Sequence, residues 1–219
     1  MSLLAMAMAV LPVSQSAVAE IERAEQERLN QCIELVDEDP EAAYEESLRW
    51  LGEGAVPPAR HCNALAMIGL ENYKEGAARL EELANAPDAG GTGDRALYLA
   101  QSGNAWLSAG YPDAAITTLT NALKLAPNDG DVHQDRAAAY LMKDEWEKAI
   151  TDLDTSLEKN PNDIEALRFR ARAFLNLDRL DRAEADMSKA LLLDNTNIDT
   201  LVLRGDIREA KRLAEDGDG

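Results

Sequence analysis

The sequence has few aromatic residues, two cysteines and no long apolar segment beyond its first 19 residues. Aromatic residues make up 5% of the 219 residues, whereas hydrophobic residues together make up 46%, and alanine and leucine supply much of that fraction. This hydrophobic fraction is typical of a folded chain rather than a disordered one. The small and aliphatic side chains favour closely packed helices, and no segment after residue 19 predicts a membrane-spanning helix.

Basic residues are also scarce. The chain has 22 Lys and Arg residues against 41 Asp and Glu residues, which gives a formal net charge of −19. Proteins bind nucleic acids and anionic membrane surfaces largely through Lys and Arg, so this balance argues against both partners. A solvated acidic surface that keeps the protein soluble is sufficient to explain the charge.

Residue patterns typical of catalytic and metal sites are missing. Residues 90–93 are Gly-Gly-Thr-Gly, but they lack the Gly-Lys-Ser/Thr ending of a phosphate loop and follow no predicted strand, so they read as a linker. His61 and His133 have no Cys or His partner at metal-ligand spacing, and no Ser-His-Asp arrangement is recognisable. The sequence therefore predicts no catalytic residue, no metal and no cofactor, and indicates that the protein is not an enzyme.

The dominant pattern is a repeat of 34 residues. Ala115, Ala149 and Ala183 are separated by 34 residues, and many other positions keep the same spacing. Residues 130–163 show the unit, which is two amphipathic helices joined by a tight turn, with apolar and small residues at i, i+3, i+4 and i+7. Neither helix can bury its apolar face alone, so neighbouring repeats must stack.

The pattern resembles the tetratricopeptide repeat family, clearly over about 96–205 and more loosely over 24–91. The resemblance implies an all-α, right-handed superhelix of about five helix-turn-helix repeats followed by a C-terminal capping helix. Three consecutive copies carry the small, aromatic and apolar motif positions. The matching residues are Leu99, Gly103, Trp106, Ala115, Leu119, Ala122 and Pro127; then Ala137, Tyr140, Ala149, Leu153 and Pro161; then Leu167, Ala171, Phe174, Ala183, Met187 and Ala190.

The repeats predict how the chain is divided. Copies two and three are separated by 38 residues instead of 34, and we expect residues 90–93 to hold the four additional residues in a loop. The last helix places Leu201 and Gly205 in register with the core positions of earlier repeats. The repeat domain spans 20–214, with repeats at about 24–57, 58–91, 96–129, 130–163 and 164–197, a capping helix at 198–214 and a disordered tail at 215–219.

Residues 1–19 predict a signal peptide. An apolar run over residues 3–13 precedes Ala17-Val18-Ala19, which has the small-x-small pattern of a signal-peptidase site, although no basic residue precedes the run. The run is too short to span a bilayer, and we expect no membrane insertion of the mature chain. This interpretation predicts a periplasmic or secreted protein; a cytoplasmic location is the alternative.

Cys32 and Cys62 are the only cysteines. They fall on the first helices of repeats one and two, which should be neighbours in the stack. Export would permit a disulfide between them, which would close a loop of about 30 residues and stabilise the fold by roughly 3–4 kcal/mol. Two small buried thiols are the alternative.

Three arginines, Arg136, Arg170 and Arg204, stand where the family often has leucine. Arg136 and Arg170 lie on first helices, and Asp152 and Asp186 lie at matching positions on the following second helices. The third repeat has Ser102 and Thr118 at these positions, so the arginine and the aspartate are absent together. We therefore predict the ion pairs Arg136–Asp152 and Arg170–Asp186, each inside its own repeat.

The resemblance implies a non-catalytic scaffold that binds a protein or peptide segment in its concave groove. The alternative is a structural or assembly protein that self-associates or joins a larger complex. A cytoplasmic co-chaperone is disfavoured, because the family's clamp for acidic peptides requires Lys, Asn and Arg, and here only Asn104 matches. The resemblance places the groove at Leu97, Ala100, Asn104, Leu107, Asp131, Gln134, Ala138, Leu141, Glu165, Arg168, Arg172 and Leu175.

Arg168 and Arg172 are four residues apart on one helix and should therefore be neighbours on one face. In so acidic a chain they would form a local positive spot that suits a carboxylate at the end of an extended partner segment. The alternative is that they pair internally with Glu165 or Asp199.

Overall fold

The computed structural model describes residues 15–217, and the described residues form helices without any strand. None of these helices is both long enough and apolar enough to cross a membrane. In chain order the helices are α1 (Gln15–Glu38), α2 (Pro40–Glu53), α3 (Pro57–Gly69), α4 (Tyr73–Asn85), α5 (Thr92–Ser108), α6 (Pro112–Leu125), α7 (Gly130–Leu141), α8 (Trp146–Lys159), α9 (Ile164–Asn176), α10 (Leu180–Leu193) and α11 (Ile198–Gly217).

The helices stack as pairs. Each helix packs against the next one in sequence, and first helices also contact across repeats, as α5 does with α7, α7 with α9, and α9 with α11. The predicted all-α solenoid, with five helix pairs and one further helix, is confirmed. In this arrangement α1, α3, α5, α7, α9 and α11 line one side of the stack as first helices, and α2, α4, α6, α8 and α10 line the other.

Aspartate side chains cap helix N-termini, and a fixed turn joins the two helices of a repeat. The side chain of Asp39 accepts a hydrogen bond from the backbone N–H of Ala42 at the start of α2, and Asp163 caps α9 in the same way through Ala166. The turn inside repeats three, four and five places one residue in the left-handed region, with φ of 78° at Gly110, 58° at Asp144 and 60° at Asp178. The 34-residue period therefore fixes the turn geometry as well as the core.

The buried positions repeat with the same period. Ala115, Ala149 and Ala183 are fully buried where the two helices of each pair cross. In repeat three the crossing is closer still, because a Cβ added to Gly103 would lie 2.4 Å from the Cγ atom of Leu119. Repeats four and five instead have Ala137 and Ala171 there, so small residues set the helix separation throughout.

The structure joins Cys32 of α1 to Cys62 of α3 in a disulfide whose Cα atoms are 5.9 Å apart. Leu29, Trp50 and Ala59 enclose the bond in a buried cluster. The disulfide thus links the first helices of repeats one and two.

The expected boundaries need three corrections. The additional residues after copy two do not all form a loop, because Thr92 and Gly93 belong to the first turn of α5, which is 17 residues long against 12 in α7. A hydrogen bond from the Gly91 N–H to Asp94 holds this early start. α1 begins at Gln15, ahead of the expected start at residue 20. Most of the predicted signal peptide, residues 1–14, lies outside the described residues.

The third correction concerns the C-terminus. Residues 215–217 belong to α11 and not to a disordered tail, because Arg212 bonds to Glu209 and Asp216 along the last turns; residues 218–219 lie outside the described part. Within α11 the buried residues are Thr200, Leu203 and Ile207. Leu201 and Gly205, which were expected in the core, face away from the stack.

Candidate functional site

The twelve predicted groove residues lie on α5, α7 and α9, and none of them is buried. These three first helices are adjacent, so their accessible side chains form one continuous surface. The structure thus leaves the predicted groove open to a partner.

A cavity of about 650 Å³ lies in this surface, chiefly between α7 and α9. Five of the twelve predicted groove residues line it together. The other seven lie outside its wall, and they are Leu97, Ala100, Asn104, Asp131, Gln134, Glu165 and Leu175. The sequence did not predict the other residues of the wall. Trp146, for example, is the first residue of the second helix α8, and it reaches the groove near the turn. The lining residues are Leu107, Ala138, Leu141, Met142, Asp144, Trp146, Arg168, Phe169, Arg172 and Asp199.

The two groove arginines have different environments. Arg168 pairs with Glu165 at 3.3 Å and with Asp199 at 3.2 Å, and its guanidinium lies 5.0 Å from the centre of the Phe169 ring. Internal pairing is therefore the correct alternative for Arg168. The side chain of Arg172 is exposed and makes no hydrogen bond or ion pair within residues 15–217. Arg172 alone offers an unpaired positive charge beside the apolar cavity.

The other end of the groove is acidic. Asn104 donates a hydrogen bond of 2.8 Å to Asp135, and Gln134 donates one of 3.2 Å to Glu165. Burial raises the pKa of Asp135 to about 6, the Asn104 hydrogen bond opposes that rise, and the nearby Asp131 carboxylate adds to it. Asp135 was not predicted as a groove residue, because its burial depends on the contact between α5 and α7. Asp131 and Asp135 lie on α7, and Glu165 lies on α9, so the groove residues of α5 are neutral and the acidic side chains border the groove on the two later helices.

Both predicted ion pairs form inside their repeats, and each is bidentate. Arg136 donates to Asp152 at 2.8 and 2.7 Å, and Arg170 donates to Asp186 at 2.7 and 2.8 Å. The remaining guanidinium nitrogen of each arginine reaches the second helix of the preceding repeat. Its acceptors are Thr120 at 3.1 Å and Asp154 at 2.7 Å. These arginines therefore link neighbouring repeats and are not available to a partner.

Repeat three replaces the ion pair with a different polar contact. One oxygen of Glu81, on α4, accepts hydrogen bonds from Thr118 at 2.5 Å, Trp106 at 2.8 Å and Ser102 at 3.4 Å. The carboxylate is supplied by the preceding repeat, and repeat three supplies only neutral donors. A pattern search within one repeat could not find this contact, because Glu81 lies before the additional residues that shift the period.

The two histidines contribute to packing between helices. His61 shares a 2.6 Å hydrogen bond with Gln101, and burial lowers the pKa of His61 against the opposing effect of that bond. His133 is within 2.7 Å of Asp152 and 3.2 Å of the Pro127 carbonyl oxygen. Across residues 15–217, no cluster of His, Cys, Asp and Glu side chains has an arrangement that could hold a metal ion.

Comparison with known proteins points to one family. Residues 107–173 match the sequence model of the tetratricopeptide repeat. The first TPR domain of the human RPAP3 protein is 26% identical over 55% of this chain and 95% of its own, with a TM-score of 0.53. The second TPR domain of human RPAP3, solved in complex with an HSP70 peptide, is 24% identical over 54% of this chain and 98% of its own, with a TM-score of 0.52.

A TPR protein of Thermus thermophilus covers more of the stack. It is 24% identical over 85% of this chain and 98% of its own, with a TM-score of 0.58. No curated protein matches the chain. Residues 107–173 therefore carry tetratricopeptide repeats, and the stacked helix pairs around them have the tetratricopeptide repeat fold.

Proposed function

We propose that the protein is a non-catalytic interaction scaffold that binds an extended segment of a partner protein across α5, α7 and α9. The observation that carries the proposal is the cavity whose wall contains Leu141, Met142, Trp146 and Phe169 together with the unpaired Arg172. An aliphatic or aromatic side chain of the partner fills the cavity, and a neighbouring carboxylate binds Arg172. Removing apolar surface from water supplies affinity, and a hydrogen bond to a charged group adds about 1.5–3 kcal/mol.

The acidic end of the groove sets the orientation of the segment. Asp131 and Asp135, near the start of α7, would repel a carboxylate and attract a basic side chain. The acidic residue of the partner segment therefore lies at Arg172, and any basic residue of the segment lies near Asp131 and Asp135. The peptide-binding RPAP3 domain supports peptide recognition by this fold in general. Its HSP70 peptide is not the ligand proposed here, because the present chain has Ala100 where the family's clamp requires Lys.

The experiment is selection of peptides from a random library against the full chain, followed by affinity measurement with purified variants. Selected peptides should combine an apolar residue with a nearby Asp, Glu or C-terminal carboxylate. Arg172→Glu should reduce their affinity about tenfold or more by replacing attraction with repulsion. Ala138→Trp, which fills the cavity, should abolish binding.

Arg23→Glu is the matched control, because it makes the same charge change at an exposed position on α1. Reversal of Arg168 is not a suitable test, since it would place a third carboxylate beside Glu165 and Asp199. If selected peptides bind Arg172→Glu and Ala138→Trp as tightly as the parent chain, the groove is not the binding site.

We also propose that the protein works in an oxidising compartment, the periplasm or the cell exterior, with the cytoplasm as the alternative. The signal-like residues 1–19 and the Cys32–Cys62 bond support this location. Material expressed from the full sequence should begin at Glu20 and contain no free thiol when denatured without reductant. An intact N-terminus with two free thiols would place the protein in the cytoplasm instead.

A role as an assembly subunit is the second candidate function. The exposed apolar side chains of Leu192 and Ile198 near the end of the stack favour it. Light scattering across a concentration series distinguishes the two functions, because self-association raises the mean mass whereas a peptide-binding monomer keeps it constant.

A further inference from the structure

The last described helix, α11, has the position of a first helix, and no helix of residues 15–217 packs beside it as a second helix. By the 34-residue period, Leu201, Arg204 and Gly205 of α11 correspond to Leu167, Arg170 and Ala171 of α9. In α9, Leu167 is 1% exposed and Ala171 is 0% exposed, because α10 covers them. α11 instead continues straight to Gly217, and no described helix covers this face.

The opposite face of α11 is firmly seated on the stack. Thr200, Leu203 and Ile207 are fully buried towards α9 and α10. Lys211 adds ion pairs to Asp181 at 2.8 Å and Glu184 at 2.5 Å. The uncovered face is therefore a fixed surface and not one side of a loose terminal helix.

Gly205 shows that the uncovered face has room for a helix. In α5 a Cβ added to Gly103 would meet Leu119 of the covering helix at 2.4 Å. At Gly205, two 34-residue periods after Ala137, an added Cβ meets nothing within 4 Å. The space that a leucine of a second helix occupies in repeat three is open at α11.

Arg204 defines the charge that would fit there. Arg136 and Arg170, at the same position of earlier repeats, each bind an aspartate of the covering helix through two nitrogens. Arg204 makes no such contact with any residue from 15 to 217. The arginine at this position binds an aspartate in repeats four and five. In α11 the same position, Arg204, has no such aspartate among the described residues.

Apolar side chains complete the surface. Ile198 and Val202, one helical turn apart, are 75% and 56% exposed, and Leu201 lies between them. We define the open face of α11 as Ile198, Leu201, Val202, Arg204 and Gly205. Three of these residues are apolar, Gly205 allows another helix to approach closely, and Arg204 supplies an unpaired positive charge.

We propose that the open face of α11 binds an amphipathic α-helix of a partner protein that has an alanine, an aspartate three residues later and a leucine or methionine next to it. This pattern is the one that α8 and α10 present to their own first helices, as Ala149, Asp152 and Leu153 and as Ala183, Asp186 and Met187. The aspartate binds Arg204, and the leucine or methionine packs on Gly205. The site is separate from the groove, so it gives the scaffold a second partner.

A peptide copy of α8 is the direct probe, tested against the full chain by fluorescence anisotropy. The peptide covers residues 144–160 and carries a lactam bridge from Glu147 to a lysine introduced by Thr151→Lys. Both positions are exposed in the fold, so the bridge keeps the peptide helical without touching the binding face. We expect saturable binding in the micromolar range, weakened about tenfold or more by Asp152→Asn in the peptide.

Variants of the chain locate the site. Arg204→Ala should weaken binding about tenfold or more, whereas Arg172→Ala, in the groove, should leave it unchanged. Gly205→Ala should retain binding, because Ala137 and Ala171 accept a covering helix, but Gly205→Leu should abolish it by filling the open space. Neither glycine substitution should lower the melting temperature, since nothing in the fold contacts that position.

Three results of the peptide titrations, and one result on self-association, would overturn the proposal. The first is the absence of saturable binding up to about 1 mM peptide. The second is equal binding by the parent chain, Arg204→Ala and Gly205→Leu. The third is loss of binding in Arg172→Ala alone, which would place the peptide in the groove. If the chain dimerises and Gly205→Leu abolishes the dimer while the peptide never competes, a second copy covers the face, and the partner-helix assignment is wrong.

Discussion

Removing one member of the Arg136–Asp152 pair should destabilise the protein more than removing both. The Asp152 side chain is 5% exposed and that of Arg136 is 18% exposed, so neither regains full hydration when its partner is lost. Asp152 also accepts from His133, and Arg136 also donates to Thr120. Breaking a buried pair by deleting one partner costs about 3–5 kcal/mol. We therefore expect that cost for Arg136→Ser and for Asp152→Thr.

The double variant Arg136→Ser/Asp152→Thr introduces the residue types that repeat three has at Ser102 and Thr118. It leaves no buried charge unpaired, so it should cost about as much as one single variant rather than the sum of two. The coupling free energy should then be roughly 3 kcal/mol, near the upper end of measured interaction energies. Urea unfolding followed by circular dichroism measures all four proteins, with the transition midpoint and slope reported for each.

The control cycle uses Arg179 and Glu147, which form an ion pair between neighbouring repeats and are far more exposed than Arg136 and Asp152. Arg179→Ser and Glu147→Thr should each cost less than about 1 kcal/mol. If the Arg136 and Asp152 substitutions are additive within about 0.5 kcal/mol, the pair does not act as a unit, and our explanation of the arginines is wrong.

Three further predictions concern the disulfide, the groove and the helix crossings. Reduction, or Cys32→Ser/Cys62→Ser, should lower the free energy of unfolding by about 3–4 kcal/mol for a separation of 30 residues; an unchanged urea midpoint after reduction would contradict this. Burial favours the neutral carboxyl group of Asp135 and raises its pKa to about 6 in the folded chain. The stability that the neutral form contributes is therefore lost as pH rises from about 4 through 6, where the carboxyl group ionises. Asp135→Asn should therefore stabilise the protein at pH 7.5 by on the order of 2 kcal/mol and have little effect at pH 3.5, and a pH-independent difference would refute the assignment. Gly103→Ala should destabilise the protein by about 1–3 kcal/mol, because Leu119 must move. Gly205→Ala should stabilise it by about 0.5–1 kcal/mol, because no atom lies near the added methyl group. Equal effects of the two substitutions would contradict the close contact at Gly103.

The 34-residue period was enough to predict the fold, because one repeat fixes the helix faces that meet inside it and between neighbours. The same spacing predicted Arg136 with Asp152, since both belong to one repeat. It failed where the period is interrupted or ends. Glu81 precedes the additional residues, so its contact with Thr118 was missed. Leu201 and Gly205 are buried only where a second helix packs on the first, and no helix of the described residues packs on that face of α11.

Five of the twelve predicted groove residues line the cavity, and the other residues of its wall were not predicted. Leu107, Ala138 and Leu141 meet at the cavity because the repeat places them in one row across α5 and α7. The contrast between Arg168 and Arg172 could not be derived from their spacing, because it depends on Asp199 of the next helix. That contrast leaves one arginine available to a ligand.

Backbone amide chemical shifts of the isotope-labelled chain, recorded during titration with the tightest selected peptide, test the groove most directly. The account predicts that the largest shifts occur around the cavity, at Leu107, Ala138, Leu141 and Arg172, and that Arg172→Glu requires about tenfold or more peptide to produce them. Shifts confined to the second helices α6, α8 and α10, or shifts that persist unchanged in Arg172→Glu, would contradict it.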